Sequence, residues 1–224
     1  MTKRFTCWLN ILGLLLFSLT VLSQQPATSS SKWEADIKKF EEADRQNPPP
    51  KGAVLFIGSS SILMWKDMAT DFPETKVINR GFGGSKIADS TNFADRIVIP
   101  YQPRMVVLYA GDNDLNSGKT PQQVFEAYQA FVNRVRAKLP KVKIAFISIK
   151  PSLARLKLME QMRATNDLIR NYTAKNKNLV FIDVFTPMLN AEGQPRPELF
   201  IQDGLHMNRT GYDIWKRVVA PYLR

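Results

Sequence analysis

The chain has 224 residues, with 31 Lys and Arg against 20 Asp and Glu, a single cysteine and a single histidine. That length suits one domain with a full core, and a lone cysteine excludes both a disulfide framework and a cysteine-based metal site. The formal charge of +11 favours anionic surfaces. Its basic residues, however, are scattered along amphipathic helical stretches with no run interleaved with aromatics, which is not the pattern of a nucleic-acid reader.

Residues 1–23 read as a secretory signal peptide: Lys3 and Arg4 precede an apolar run over 11–22, and Val21 and Ser23 are small residues before a cut near Gln24. The run is short of the ~20 residues of a membrane span, so an uncleaved anchor ranks second. A secreted or periplasmic protein is therefore expected. Cleavage removes Lys3, Arg4 and Cys7, leaving a net charge of +9 and no thiol. That charge is compatible with weak association with anionic envelope surfaces. Residues 24–31, with Pro26 and three consecutive serines, read as a disordered tether.

The remaining 32–224 form the expected domain. Trp33, Ile37 and Phe40 recur at helical spacing, which predicts an N-terminal amphipathic helix ended by Pro48-Pro49-Pro50. Strand and helix then alternate. Apolar runs suited to buried parallel strands lie at 53–57, 76–79, 105–110, 143–149 and 179–183. Helical patterns lie at 121–138 and 156–175, and a final helix spans 210 to about 223. Thr120 and Pro121 suit a cap and a first helical turn. The alternation predicts a three-layer α/β/α sandwich with a central five-stranded parallel sheet.

In open α/β sheets, ligands bind outside the carboxyl ends of the strands, so the residues at the strand exits carry the functional reading. The first three exits are Gly58-Ser59-Ser60-Ser61, Arg80-Gly81-Phe82-Gly83-Gly84-Ser85 and Gly111-Asp112-Asn113-Asp114. Before the last helix comes Asp203-Gly204-Leu205-His206, with the only histidine three positions after an aspartate. An imidazole is the commonest general base near neutral pH, and a carboxylate beside it can set its tautomer. Several other motifs fail on inspection. The first exit lacks the second glycine and lysine of a P-loop, and the second has Lys86 where a dinucleotide fingerprint needs glycine. Asp112, Asp114 and Asn116 start like a calcium loop, but Ser117 and Gln123 occupy its glycine and bidentate-acid positions. One histidine without a mature cysteine argues against zinc. There is also no G-x-S-x-G elbow.

Taken together, these four blocks resemble the GDSL or SGNH hydrolase family of serine esterases and acylhydrolases, in its platelet-activating-factor acetylhydrolase-like branch. The likeness runs from about Val54 to the C-terminus. It implies the flavodoxin-like SGNH fold, with Ser60 as nucleophile and Asp203 and His206 completing the triad. It also implies an oxyanion hole made of the Ser60 and Gly84 backbone N–H groups and the Asn113 side chain, with no metal and no organic cofactor. Ser59 stands where the family usually has aspartate, and the serine triplet presents three adjacent hydroxyls. Arg80, Asp112 and Asp114 either line the pocket or brace its loops; Leu63, Met64, Trp65 and Phe82 either shape an acyl groove or pack the core.

The resemblance implies carboxylic ester hydrolysis through an acyl-serine intermediate. Export, together with a site built of small residues, favours short acyl groups on carbohydrate or similar small-molecule esters. The alternatives are a lysophospholipase- or thioesterase-type lipid acylhydrolase and a non-catalytic glycan-binding module on the same fold.

Overall fold

The computed structural model describes residues 1–2 and 32–224; the signal-peptide and tether readings fall on residues 3–31 and lie outside the described residues. Five strands, β1 (Val54–Gly58), β2 (Val77–Gly81), β3 (Met105–Tyr109), β4 (Lys143–Ile147) and β5 (Leu179–Ile182), form one sheet. All pairs are parallel and the order is β2-β1-β3-β4-β5. The chain begins in the sheet, steps outward to β2, then crosses back to β3. In this flavodoxin-like order the direction of winding reverses between β1 and β3, which opens a crevice at their carboxyl ends.

Helices cover both faces. In chain order they are α1 (Glu34–Gln46), α2 (Ser60–Leu63), α3 (Met68–Asp71), α4 (Ile87–Asn92), α5 (Ala94–Ile97), α6 (Asp112–Asn116), α7 (Pro121–Lys138), α8 (Met159–Ala174) and α9 (Arg209–Val219). Alternate strand residues point to opposite sides. Leu55, Ile57, Val106, Leu108 and Phe146 pack with Ile37, Ile87, Tyr128, Phe131 and Ile169. Val54, Phe56, Val107, Tyr109 and Ile147 pack with Trp65, Met68, Ile214 and Trp215 on the other side. Burial on both faces is why the strands appear in the sequence as unbroken apolar runs.

The expected elements are present with shifted ends. β1 and β2 extend to Gly58 and Gly81, beyond the expected 57 and 79, because Gly58 pairs in register with both Gly81 and Tyr109. Glycine is a weak strand former, so the sequence reading stopped short of it. At Gly58 no other residue fits: φ is +139°, and a Cβ would lie 1.8 Å from the Tyr109 carbonyl oxygen. The helix expected over 156–175 is preceded by a 3-10 segment, Leu153–Leu158, in which Arg155 adopts φ −128°, ψ 31°. The last helix ends at Val219 and tightens into a 3-10 turn, since Pro221 has no N–H to continue it. α7 matches its expected bounds and carries a capping box, with Gln123 N–H donating to Thr120 Oγ1 and Thr120 N–H to Gln123 Oε1.

α1 is tied down beside the β2 exit. Arg96 donates to Glu34 at 2.7 Å and to Glu41 at 2.6 Å. Arg80 pairs with Asp44 and donates to Tyr101 Oη at 2.8 Å. Trp33, just before the helix, is buried; its indole N–H donates to the Gly83 carbonyl at 2.9 Å, and its ring meets Phe82 edge-on at 5.9 Å. Among the described residues no helix is long and apolar enough to cross a membrane.

Candidate active site

Ser60 is the first residue of α2, directly after β1. Helix geometry leaves the N–H at that position without an intrahelical acceptor. Backbone bonds hold the turn: Ser59 N–H donates to the Tyr109 carbonyl at 3.0 Å, and Ile62 and Leu63 N–H donate to Ser59 O at 3.0 and 3.1 Å. Ser59 and Ser61 are buried, and Ser59 Oγ has no hydrogen-bond partner. Of the three adjacent hydroxyls, Ser60 is the one that meets His206, with Oγ 3.0 Å from Nε2. An aspartate at position 59 would bury a carboxylate here. The chain instead supports the turn through its backbone.

The other ring nitrogen of His206, Nδ1, lies 2.6 Å from Asp203 Oδ2. An ionised carboxylate can only accept, so Nδ1 carries the proton and Nε2 is left as an acceptor for the Ser60 hydroxyl. Asp203 Oδ1 accepts from the backbone N–H of Leu205 at 2.8 Å and of His206 at 2.9 Å. Burial raises the Asp203 carboxyl, but the bonds from the His206 side chain and from both backbone groups outweigh it and bring the pKa to about 2. The loop is closed by Ile201 N–H to His206 O at 2.9 Å and by Gly204 N–H to Ile201 O at 2.9 Å. It is braced from outside by Ala154 N–H to Gly204 O at 3.0 Å.

The two remaining predicted residues leave the neighbouring strands. Gly84 has φ +75°, a left-handed turn that favours glycine. Asn113 lies in the first turn of α6, and its Nδ2 donates to Ser85 O at 3.1 Å, tying the β3 exit to the β2 exit beside Gly84. Arg155 Nη2 donates to Asn113 Oδ1 at 2.8 Å, and Arg155 Nη1 makes an ion pair with Asp112 Oδ2 at 3.0 Å, off the hydrogen-bond axis.

Most of the residues with two open readings resolve as braces and core. Arg80 anchors α1. Asp112 pairs with Arg155, and Asp114 Oδ2 accepts from Ile87 N–H at 3.2 Å. Trp65 and Phe82 are core residues, with Trp65 Nε1 donating to the buried Asp71 at 2.8 Å. Leu63 is exposed. Arg155 was not singled out from sequence: in Leu153-Ala154-Arg155-Leu156-Lys157-Leu158 it looks like any charged residue of an amphipathic turn. Lys150, at the end of the β4 region, is fully buried; desolvation lowers its amine pKa, and the negative charge of Asp112 opposes this.

The family model of the GDSL-like lipase/acylhydrolase family matches residues 58–214, well over half of the chain. The chain belongs to that family. It is thus a carboxylic ester hydrolase, and the α/β/α sheet order is the SGNH hydrolase fold. A protein of Streptococcus pneumonia named for platelet activating factor shares 20% identity at a TM-score of 0.76, covering 87% of this chain and 94% of its own. A GDSL-like lipase from Bacteroides thetaiotaomicron shares 23% identity at a TM-score of 0.69, covering 84% of this chain and 97% of its own. A carbohydrate esterase family 3 protein from Talaromyces cellulolyticus shares 20% identity at a TM-score of 0.59, covering 76% and 95%. At these identities the likeness is one of fold. A comparison with curated protein sequences finds no match.

Proposed function

We propose that this family member is an exported serine esterase that removes short acyl groups, acetyl above all, from carbohydrate or similar esters. The observation that carries the mechanism is the unbroken line Ser60 Oγ, His206 Nε2, His206 Nδ1, Asp203 Oδ2, at 3.0 and 2.6 Å. Ser60 attacks the ester carbonyl carbon as its proton passes to His206 Nε2. His206 returns that proton to the departing alcohol, while Asp203 holds the ring and stabilises the imidazolium. The tetrahedral oxyanion is received by the Ser60 and Gly84 N–H groups and the free Asn113 Nδ2 hydrogen. Water, deprotonated by the same imidazole, then releases the acid.

The site is open. The side chains of His206 and Asp203 are 25% and 42% exposed, so a bulky alcohol moiety can approach the serine. Its walls are loops with small residues, and Trp65 and Phe82 are committed to the core. These features support a short acyl group on a large or polar carrier. Exposed Leu63, Leu156 and Ile201 lie in the segments that also carry Ser60, Arg155 and the 203–206 loop. They favour a second reading, a lipid acylhydrolase.

A chromogenic acyl-ester series from acetyl to long chain separates the two. Activity falling with chain length supports the acetylesterase reading; activity rising with it refutes that in favour of lipid esters. Ser60→Ala and His206→Ala should each cost on the order of 10⁶ in kcat, and Asp203→Asn nearer 10⁴, with circular dichroism unchanged. An active Ser60→Ala protein would overturn the mechanism.

A further inference from the structure

The side-chain amide of Asn113 can stabilise an oxyanion only if its nitrogen, not its oxygen, faces the reacting carbonyl. The two ends of a carboxamide have nearly the same shape, so packing alone does not choose between them. Here the choice is made by two partners of opposite kind. Arg155 Nη2, which can only donate, lies 2.8 Å from Oδ1, and the Ser85 carbonyl, which can only accept, lies 3.1 Å from Nδ2. Turning the amide over would set an N–H against the guanidinium and a carbonyl oxygen against a carbonyl oxygen. With one Nδ2 hydrogen engaged by Ser85, the second is left free and its direction is set.

Arg155 is itself held in place. Its side chain is only 9% exposed, and Nη1 pairs with the equally buried Asp112, whose Oδ1 accepts from Asn113 N–H at 3.0 Å. The backbone at Arg155 departs from the surrounding 3-10 turn, and the preceding residue, Ala154, donates to Gly204 in the loop that carries Asp203 and His206. One short segment therefore touches both the candidate oxyanion donor and the candidate base loop. Guanidinium suits this position because one nitrogen of its planar fork donates to Asn113 Oδ1 while the other sits beside the Asp112 carboxylate, which an ammonium does not do with the same geometry.

The geometry points to Arg155 as a positioning residue for ester hydrolysis, which locks the Asn113 amide with its nitrogen toward the oxyanion. This role rests on the reading of Ser60 and Asn113 given above. It predicts a defect in turnover rather than in binding, since the oxyanion exists only on the way through the reaction.

The test is a double-variant cycle on the full chain, with an acetyl ester as substrate and thermal unfolding recorded for each protein. Asn113→Ala should lower kcat on the order of 10²–10³-fold. Arg155→Ala should lower it about tenfold to a hundredfold, part of that donor's worth, with KM within about twofold. The double variant should be no slower than Asn113→Ala alone, because a missing amide cannot be misdirected. Guanidinium added to the buffer should restore turnover to Arg155→Ala and not to the double variant. Arg155→Lys keeps a cation beside Asp112 and carries the test if Arg155→Ala does not fold. It should unfold near the parental temperature and still lose about tenfold in kcat.

Losses that multiply in the double variant, or parental turnover in Arg155→Lys, would overturn the role of Arg155 while leaving the triad and oxyanion reading in place. Parental turnover in Asn113→Ala would instead remove the oxyanion assignment, and the role of Arg155 with it.

Discussion

Trp33 lies 25 residues before the family match begins, yet it holds the carbonyl of the glycine preceding Gly84. Replacing it with phenylalanine keeps an aromatic body against Phe82 and removes the indole donor. The Gly83 carbonyl then loses its partner in a part-buried setting, which costs about 1–3 kcal/mol of stability. Trp33→Ala, which also empties a site only 5% exposed, should cost about 3–5 kcal/mol. The freed Gly83-Gly84 peptide should also turn its N–H away from the proposed oxyanion position. About 1 kcal/mol of lost alignment corresponds to about fivefold in kcat. Urea unfolding and steady-state kinetics on the same preparations give both numbers. A Trp33→Phe protein that is destabilised but has parental kcat would show that α1 merely staples the domain, refuting its coupling to the site. Unchanged stability would refute the energetic role of the hydrogen bond itself.

Three further outcomes are expected. Burial raises the Asp114 carboxyl from 3.8 to about 6, so the folded chain binds that proton more tightly than the unfolded chain. Stability from this group is therefore lost as pH rises from about 4 to about 6, a penalty of about 3 kcal/mol at pH 7. Asp114→Asn should match the parent near pH 4 and exceed it at pH 7 in chemical denaturation; equal stability at both would refute the burial argument. Asp203 has the opposite sign: its contribution is present above pH 3.8 and lost as pH falls toward 2. Asp203→Asn should thus be less stable than the parent at pH 6 and converge on it near pH 2 in thermal unfolding. Gly81→Ala would place a Cβ 2.2 Å from Leu63 N, in the short helix that carries Ser60. A loss of about 1–3 kcal/mol is expected, together with a fall in kcat, and parental values for both would contradict the close approach.

The sheet was legible in the chain because parallel strands covered on both faces must be apolar at consecutive positions, and no tertiary information is needed to see that. The strand exits that carry the candidate site were legible too, since glycines and small polar residues gather where strands end and the backbone must turn sharply. Less legible were the strand ends at Gly58 and Gly81, where pairing with a neighbour overrides a weak local propensity. Residue type could not say which serine of the triplet faces the imidazole: all three carry the same hydroxyl, and the turn into α2 aims Ser60 outward while burying Ser59 and Ser61. Nor could it separate Arg155 from the other basic residues. An arginine becomes an amide-orienting donor only when a segment 42 positions away in sequence is packed beside Asn113, and that proximity belongs to the tertiary structure alone.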